Sequence, residues 1–516
     1  MDNTARENNY NEPSMTNIVL EAPVQAQVKG DAKSFRKYGL LSLVFAIVYT
    51  FCLYKNKSGI TYPIFMVITF GLIYAVRKSD DLPFLKDKNG KIGLNLFYVI
   101  SLFLLSVTKC MFTSYSIQWL SGLAIFLLFF SFIMQLYIDT TGWDIVGWLG
   151  GIALTMIRPI ANIAWPFQDF ALFVKERGSE TSKEKKNAIM AVLIGLIVAV
   201  PLLAVVVSLL VSADAVFSRI LEKVFEGIHL PDNFGDIVGI VLTLCISFIC
   251  AYIIPNSLYK KKIGIGPAKQ GNINPLIAIT FTVLLGLVYL LFCLIQVLFL
   301  FTGSMTLPAG YTYASYAHEG FYQLLAVCLI NVALVSVCSR MFAKNKLLTC
   351  ILSIIGICTY IMIASSAMRM ILYIGAYTLT FLRLFVLWFL CVLSLWLAYL
   401  IIGLYKSDFP VFKAAMVTIT VAYLAFAFAN PDYQIAKYDL AHADMSDDTS
   451  TYGSVQRYIV YNLSLDSIPA IESNEQLLSE YNDNIYFDQW ETNYEGSIRK
   501  FNYSYWRAEK VFEEEK

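Results

Sequence analysis

The stretch LFVLWFLCVLSLWLAYLIIGLY, Leu384–Tyr405, decides the fold. It runs for 22 residues without a charge. A helix needs about 20 apolar residues to cross the hydrocarbon core of a bilayer. Lipid admits only helices and closed barrels, because both satisfy their own backbone groups. The apolarity here is continuous and does not alternate, so the stretch reads as a helix. Ten further stretches read the same way: 38–54, 60–76, 92–108, 117–138, 188–211, 235–254, 275–302, 321–339, 347–366 and 411–429. The expected fold is therefore all-α: a polytopic membrane protein with about eleven transmembrane helices, interfacial helices and a small helical C-terminal extracytoplasmic region.

Composition points the same way. Of 516 residues, 57% are hydrophobic and 15% charged, whereas soluble domains carry about 25% charged residues. An ordinary soluble enzyme, a collagen, a coiled coil and a disordered chain are all excluded. The 39 Lys and Arg nearly balance the 38 Asp and Glu, which gives no hint of a nucleic-acid partner. The lipid bilayer is the expected environment.

That balance hides a segregation. With the N-terminus placed inside, the inner segments carry 24 Lys and Arg and the outer connections seven. Cations accumulate on the cytoplasmic side of a membrane, so a cytoplasmic N-terminus and an extracytoplasmic C-terminus are expected. Lys55 and Lys57 run against the bias. Residues 430–516 hold 17 Asp and Glu against 7 Lys and Arg, a net of −10, and no Cys.

Five regions follow. Residues 1–37 are polar, read as a disordered cytoplasmic N-terminus, and show no cleaved signal peptide. Residues 38–138 hold the first four transmembrane helices. In 139–187, two short apolar stretches with Trp143, Trp148 and Trp165 suit interfacial helices, followed by a basic cytoplasmic loop; a re-entrant hairpin is the rival reading. Residues 188–429 form a seven-helix transmembrane region, in which 212–234 reads as an amphipathic helix lying flat on the outer surface. The acidic tail, 430–516, reads as helical, with Asn430-Pro431 as N-cap and first turn. Ile498, Phe501, Tyr505, Ala508 and Phe512 would share one helical face near its end.

Little in the sequence resembles catalytic machinery. The ten Cys lie in or beside apolar spans without a Cys-x-x-Cys pair, and read as packing residues. The three His, 229, 318 and 442, lack ligand spacing, so no metal and no cofactor is expected. The informative polar residues are Glu319, Gln323 and Asn331 around the eighth span, Arg369, Tyr373, Tyr377 and Arg383 around the next outer connection, and Asp432 and Asp466 in the tail. If 367–383 is one helix, not interrupted at Gly375, Arg369, Tyr373, Thr380 and Arg383 fall on one side of it. Ionisable groups at membrane depth are costly and face protein or water. Glu319 paired with Arg369 or Arg383 is thus a candidate clamp for the acidic tail, or the wall of an outward-facing polar cavity.

At these residues the chain resembles a family of bacterial polytopic membrane proteins filed as domain of unknown function four-one-seven-three. The resemblance runs through Ser212-Ala213-Asp214 with Phe217, Glu319-Gly320-Phe321 before Asn331, Arg369-Met370, Tyr373 and Tyr377, Leu379-Thr380 and Leu382-Arg383. It continues through Asn430, Asp432, Ile435-Ala436 and Tyr438, then Leu463-Ser464, Asp466, Ile468-Pro469-Ala470, Phe501-Asn502 and Arg507-Ala508. His318 stands where that pattern has Arg, and Asp439 where it has Asn. The resemblance implies a bacterial cytoplasmic membrane and a tail that forms one unit with the last spans. It implies no activity.

The leading functional expectation is a non-enzymatic scaffold, sensor or accessory subunit of the cell envelope, with an envelope protein partner recognised through the acidic tail. A transporter of an unknown solute is the first alternative. The second is a membrane enzyme acting on lipid-linked or cell-wall substrates at the outer face, with Glu319, Asp432, Asp466 and His442 as acid–base groups. The two cases separate on whether these residues line an open cavity or a packed joint.

Overall fold

The computed structural model describes residues 31–177 except 88, positions 203, 206, 210, 213, 214, 216 and 219, and residues 234–260, 271–298, 313–442, 451–482 and 498–514. Among them the chain is helical and contains no strand; Ile273 and Phe342 form one isolated parallel bridge. Four helices open the chain: α1 (Ala32–Leu53), α2 (Thr61–Ser79), α3 (Gly93–Met111) and α4 (Tyr115–Tyr137). Next come α5 (Ile145–Ile157), extended by a 3-10 turn to Asn162, and α6 (Trp165–Arg177). Six long helices follow: α7 (Phe234–Tyr259), α8 (Pro275–Gln296), α9 (Tyr313–Met341), α10 (Lys346–Ala376), α11 (Phe381–Tyr405) and α12 (Val411–Phe428). The tail folds as α13 (Pro431–His442), α14 (Thr451–Asn462), a 3-10 turn Leu465–Ser467, α15 (Ile468–Ile471), α16 (Glu475–Asn482), a 3-10 turn Ile498–Lys500 and α17 (Tyr503–Glu514).

Among the described residues, ten helices are long and apolar enough to cross a membrane. Nine of them, α1, α3, α4 and α7 to α12, coincide with expected spans; the tenth is Ile145–Asn162. The expected span 60–76 is α2, which carries Arg77 and Lys78 in its last turn. The expected span 188–211 and the flat helix 212–234 lie outside the described residues, apart from the isolated positions given above and Phe234. So do residues 1–30 and the 178–187 part of the basic loop.

The long helices run between two opposite ends of the bundle. At one end, the cap end, the tail packs on the C-termini of α1, α3, α10 and α12 and the N-termini of α2, α4 and α11. The opposite, basal end holds the start of α1, the close of α7 and the α9–α10 turn. Lys55, after α1, pairs with Asp236 at the start of α7, so α7 opens at the cap end, whereas α6 closes at the basal end, where Glu176 faces Arg36.

Ile145–Asn162 does not run from end to end. Its first residue follows Asp144, which pairs with Arg340 at the basal close of α9. Asn162, at its other end, hydrogen-bonds Ser257 at the basal close of α7 at 3.3 Å. Both ends therefore touch the basal end of the bundle. Length and apolarity alone would have made this segment a span; its anchors make it lie across the helix ends.

Lipid gives helices no hydrophobic reason to associate, so small and polar residues carry the contacts. Thr108 of α3 donates to Ser121 of α4 at 2.8 Å, and Ser121 shares a hydrogen bond of the same length with Tyr423 of α12. Leu284, Leu287, Val288 and Leu291 of α8 stay exposed on the outside of the bundle. The tail is joined to the helices by a common apolar core: Ile435, Ile459, Leu465, Ile468 and Phe512 are buried in one cluster with Ile355, Leu390 and Leu397 of α10 and α11.

The α1–α2 turn shows how closely the tail is seated. Gly59 has φ +131°, a region side chains rarely adopt, and a Cβ there would meet the Arg499 carbonyl oxygen at 2.7 Å. Ile60 N–H donates to the Phe501 carbonyl at 2.9 Å beside it. Gly59→Ala is expected to lower stability by about 2 kcal/mol, the weight of one strained backbone residue. A melting curve of the purified variant that overlays the native one would rule this out.

Candidate functional site

The polar residues of the tail converge on the three-residue turn between α3 and α4. A helix start leaves N–H groups without partners and favours negative charge. Ser114, the residue that opens α4, makes no side-chain cap of its own. Asp466 supplies it instead. Its carboxylate accepts from the Thr113 N–H at 2.9 and 3.0 Å, the Thr113 hydroxyl at 3.0 Å and the Ser114 N–H at 2.9 Å. The carbonyls that α3 leaves open are met from the same direction. Asn502 Nδ2 donates to the Phe112 carbonyl at 2.9 Å, and Ser504 Oγ to that of Met111 at 2.7 Å. Asn502 meanwhile starts α17, accepting from the Ser504 and Tyr505 N–H groups.

Asp432 lies one layer behind. It accepts from the Ser464 N–H at 3.1 Å and the Ser464 hydroxyl at 2.6 Å. That hydroxyl in turn accepts from the Asp466 N–H at 3.3 Å. Asn430 adopts φ +53°; its side chain donates to the Asp466 carbonyl at 3.0 Å and accepts from the Tyr433 N–H at 3.2 Å. The expected Asn430-Pro431 start of α13 is thus present, and the same Asn ties α13 to the Asp466 turn. Both carboxylates are buried. No ion pair among the described residues includes either one. Burial, and the nearby negative charge of Asp466, push the Asp432 carboxyl up to about 6. Burial also raises Asp466, against the pull of its hydrogen-bond donors.

A second set of contacts joins the start of α11. Asp439, on the same face of α13 as Asp432 because seven residues make two turns, accepts from the Leu379 N–H at 2.7 Å. Tyr458 of α14 accepts from the Phe381 N–H at 3.1 Å. The Arg383 guanidinium stands 4.2 Å from the centre of the Tyr373 ring and 6.0 Å from that of Tyr377, and donates to the Thr378 carbonyl. Such contacts are worth about 0.5–2 kcal/mol. Asp439 is pushed up to about 6 by burial, while the Leu379 N–H and the nearby Arg383 and His442 hold it down.

Several expectations change here. Residues 367–383 are not one helix: α10 stops at Ala376 and α11 starts at Phe381. Arg383 meets Tyr373 across that break, not along a helical face. Arg369 is buried against Gly320, where a Cβ would collide with its guanidinium. Of Glu319 only the helical backbone is described, so its ion pair with Arg369 or Arg383 lies outside the described residues. Gln323 points to the exposed side of α9. Asn331 is far from the joint; it is fully buried and donates to Thr359 of α10 at 3.0 Å. His442 is exposed and stacks on Tyr438 with ring centres 4.1 Å apart. Ile498 is exposed on its 3-10 turn, while Tyr505, Ala508 and Phe512 are buried, because the helix begins only at Tyr503.

The structure therefore brings Asp432 and Asp466 together, sets Tyr373, Tyr377 and Arg383 beside them through Asp439, and leaves Gln323 and Asn331 apart. Thr113 and Ser114 were missed by sequence reasoning, and so were the roles of Ser464 and Asn502. The pairs Leu463-Ser464 and Phe501-Asn502 were visible as marks; nothing local showed what they hold. Among the described residues no three His, Cys, Asp or Glu side chains gather as a metal site.

Residues 99–474, well over half of the chain, match the family described as domain of unknown function DUF4153. This corrects the family number to which the ordered motifs pointed. Those motifs are short pairs at helix ends and turns, which carry too little information to separate one family from another. No curated protein matches the chain, and no solved structure does.

Proposed function

Since the chain belongs to the DUF4153 family, whose description names no activity, we propose that it acts as a scaffold, sensor or accessory subunit of a bacterial cell envelope. It sits in the cytoplasmic membrane and holds its acidic cap outside the cell for an envelope protein partner. The observation that carries this reading is the Asp466 contact: a buried carboxylate spent on capping α4 serves a rigid joint, not a cavity for substrate. The orientation rests on the 24 Lys and Arg in the segments expected inside against seven in the outer connections. With that orientation, α5 lies along the inner interface. Neither the solute-transport reading nor the enzyme reading gains a specific observation among the described residues.

The cap exposes Tyr461, Tyr503 and Trp506. A photo-cross-linking residue at each position, in intact cells, is expected to capture one recurring envelope protein. A cysteine at Tyr461 is expected to react with a membrane-impermeant maleimide without permeabilisation. Reaction only after permeabilisation would overturn the orientation; capture of no recurring partner from any of the three positions would overturn the scaffold reading.

A further inference from the structure

The apolar outside of α1 does not stop with the helix. Leu40, Leu43, Val44, Ile47 and Phe51 are all exposed, and steps of three and four residues put them on one side of α1. In a bundle that crosses a membrane, that side meets lipid. The tail sits on its cap end. The Arg499 guanidinium stands 5.4 Å from the centre of the Phe51 ring and donates to the Tyr54 carbonyl at 2.8 Å. The Arg499 carbonyl accepts from Asn56 Nδ2 at 3.2 Å and from the Thr61 hydroxyl at 3.3 Å. With the Ile60–Phe501 hydrogen bond, these contacts fix the Ile498–Lys500 turn on the α1–α2 connection.

Ile498, beside that fixed Arg, is 84% exposed, more than any other large apolar side chain among the described residues. Its height in the membrane follows from α1. Lys37 is the last charge before the apolar run of that helix. A hydrocarbon core of about 30 Å takes about 20 residues at a rise of about 1.5 Å each. Counted from Lys37, the far edge of the core falls at Lys57, in the connection on which the turn is seated. Ile498 therefore stands where acyl chains end and headgroups begin.

The charges agree with that level. The tail is acidic, yet four of its seven cations, Arg499, Lys500, Arg507 and Lys510, fall within 499–510, where Glu509 is the only acid. Lys57, one of the two cations that run against the inner bias, is exposed in the same connection; the other, Lys55, is paired with Asp236. Long cationic side chains lay their stems on apolar surface and carry their charge to the headgroups. Clusters of them attract anionic lipid. A protein partner would have to cover Ile498 at the level of the lipid-facing Phe51, where the bilayer already stands.

We propose that the Ile498–Lys500 turn is a lipid contact of the tail: Ile498 enters the acyl edge of the cap-side leaflet beside Phe51, while Arg499, Lys500 and Lys57 meet the phosphates of anionic headgroups. The contact rests neither on the proposed role of the cap nor on which side of the membrane the cap occupies.

Photo-cross-linking of the full chain in nanodiscs of mixed phosphatidylglycerol and phosphatidylcholine tests it, with adducts identified by mass spectrometry. Benzoylphenylalanine in place of Ile498 is expected to capture phospholipid, as it is in place of Leu43 on the lipid side of α1. Phosphatidylglycerol is expected in excess of its share of the disc. Lys500→Gln and Lys57→Gln are each expected to lower the ratio of phosphatidylglycerol to phosphatidylcholine adducts at position 498 about fivefold, the weight of one cation near an anionic surface. Melting curves identify a variant that fails to fold, and the other then carries the charge comparison. Lipid capture at position 43 but not at 498 overturns the proposal. So does an adduct ratio unchanged in folded Lys500→Gln and Lys57→Gln. Capture of a protein in place of lipid at 498 in native membranes overturns it in favour of a protein contact.

Discussion

Replacing Asp466 by alanine is expected to loosen the cap from the helices and to lower stability by about 4 kcal/mol. The substitution strands three buried groups: the N–H groups of Thr113 and Ser114 and the Thr113 hydroxyl. Each stranded group costs about 1–3 kcal/mol, and entering water would recover part of the sum. The result would exceed the 0.5–3 kcal/mol of most point substitutions, because one side chain both meets the N–H groups where α4 begins and bolts the tail. Asp466→Asn keeps an acceptor oxygen but turns an amide toward the N–H groups, so an intermediate loss is expected. Limited proteolysis of the purified protein reads the effect directly. Cleavage within residues 430–516 should be fast in Asp466→Ala, slower in Asp466→Asn and slowest in the native chain. Equal cleavage rates in all three would show that the carboxylate does not hold the cap.

The second large effect is a dependence on pH, with its sign set by Asp432. Its folded value, about 6, lies above the ordinary carboxylate value near 3.9, so the folded joint binds the proton more tightly than the unfolded chain does. Stability from this group is fully present below about pH 4 and is lost as pH rises through about 6. Two units correspond to about 3 kcal/mol. Asp439 contributes with the same sign, since it is also raised to about 6. Asp432→Asn, a neutral side chain of the same shape, removes the Asp432 share. Melting temperatures between pH 4 and 7 are expected to fall more steeply for the native protein than for Asp432→Asn. Parallel curves for the two proteins would eliminate Asp432 as the titrating group. A melting temperature that rises over this range would contradict the sign.

The spans were legible because crossing a membrane is a local requirement. Leu384–Tyr405 announces α11 by itself, and α11 extends that stretch by only three residues, to Phe381. The α10–α11 break was legible only as Gly375, a residue able to interrupt a helix one position before α10 ends. Arg369, Tyr373 and Arg383 have helical spacing, yet the Leu379 N–H is taken by Asp439, 60 residues further on, and this distant contact overrides the local pattern. Asp432 and Asp466 could be singled out as costly carboxylates, but not given partners, because Thr113 and Ser114 look like ordinary turn residues. Ile145–Asn162 is long and apolar enough for a crossing, yet the short apolar stretches and the Trp residues of this region already suit an interface, and its two anchors, Asp144 with Arg340 and Asn162 with Ser257, both lie at the basal end. Asp439, which stands where the resembled pattern has Asn, now has a physical reading: burial favours its neutral form, and a neutral acid is close in shape to an amide.

The contact between Thr113 and Asp466 spans 353 residues of sequence, and that separation bears on how the protein is made. A ribosome adds about 5–20 residues per second. The α3–α4 turn therefore exists for about 20–70 s before the residue that completes it has been synthesised. Throughout that interval its amides depend on water or on a helper protein at the membrane surface. The chain is thus assembled from front to back but locked from back to front, and a protein truncated anywhere before Asp466 would leave its first hairpins inserted and unfastened.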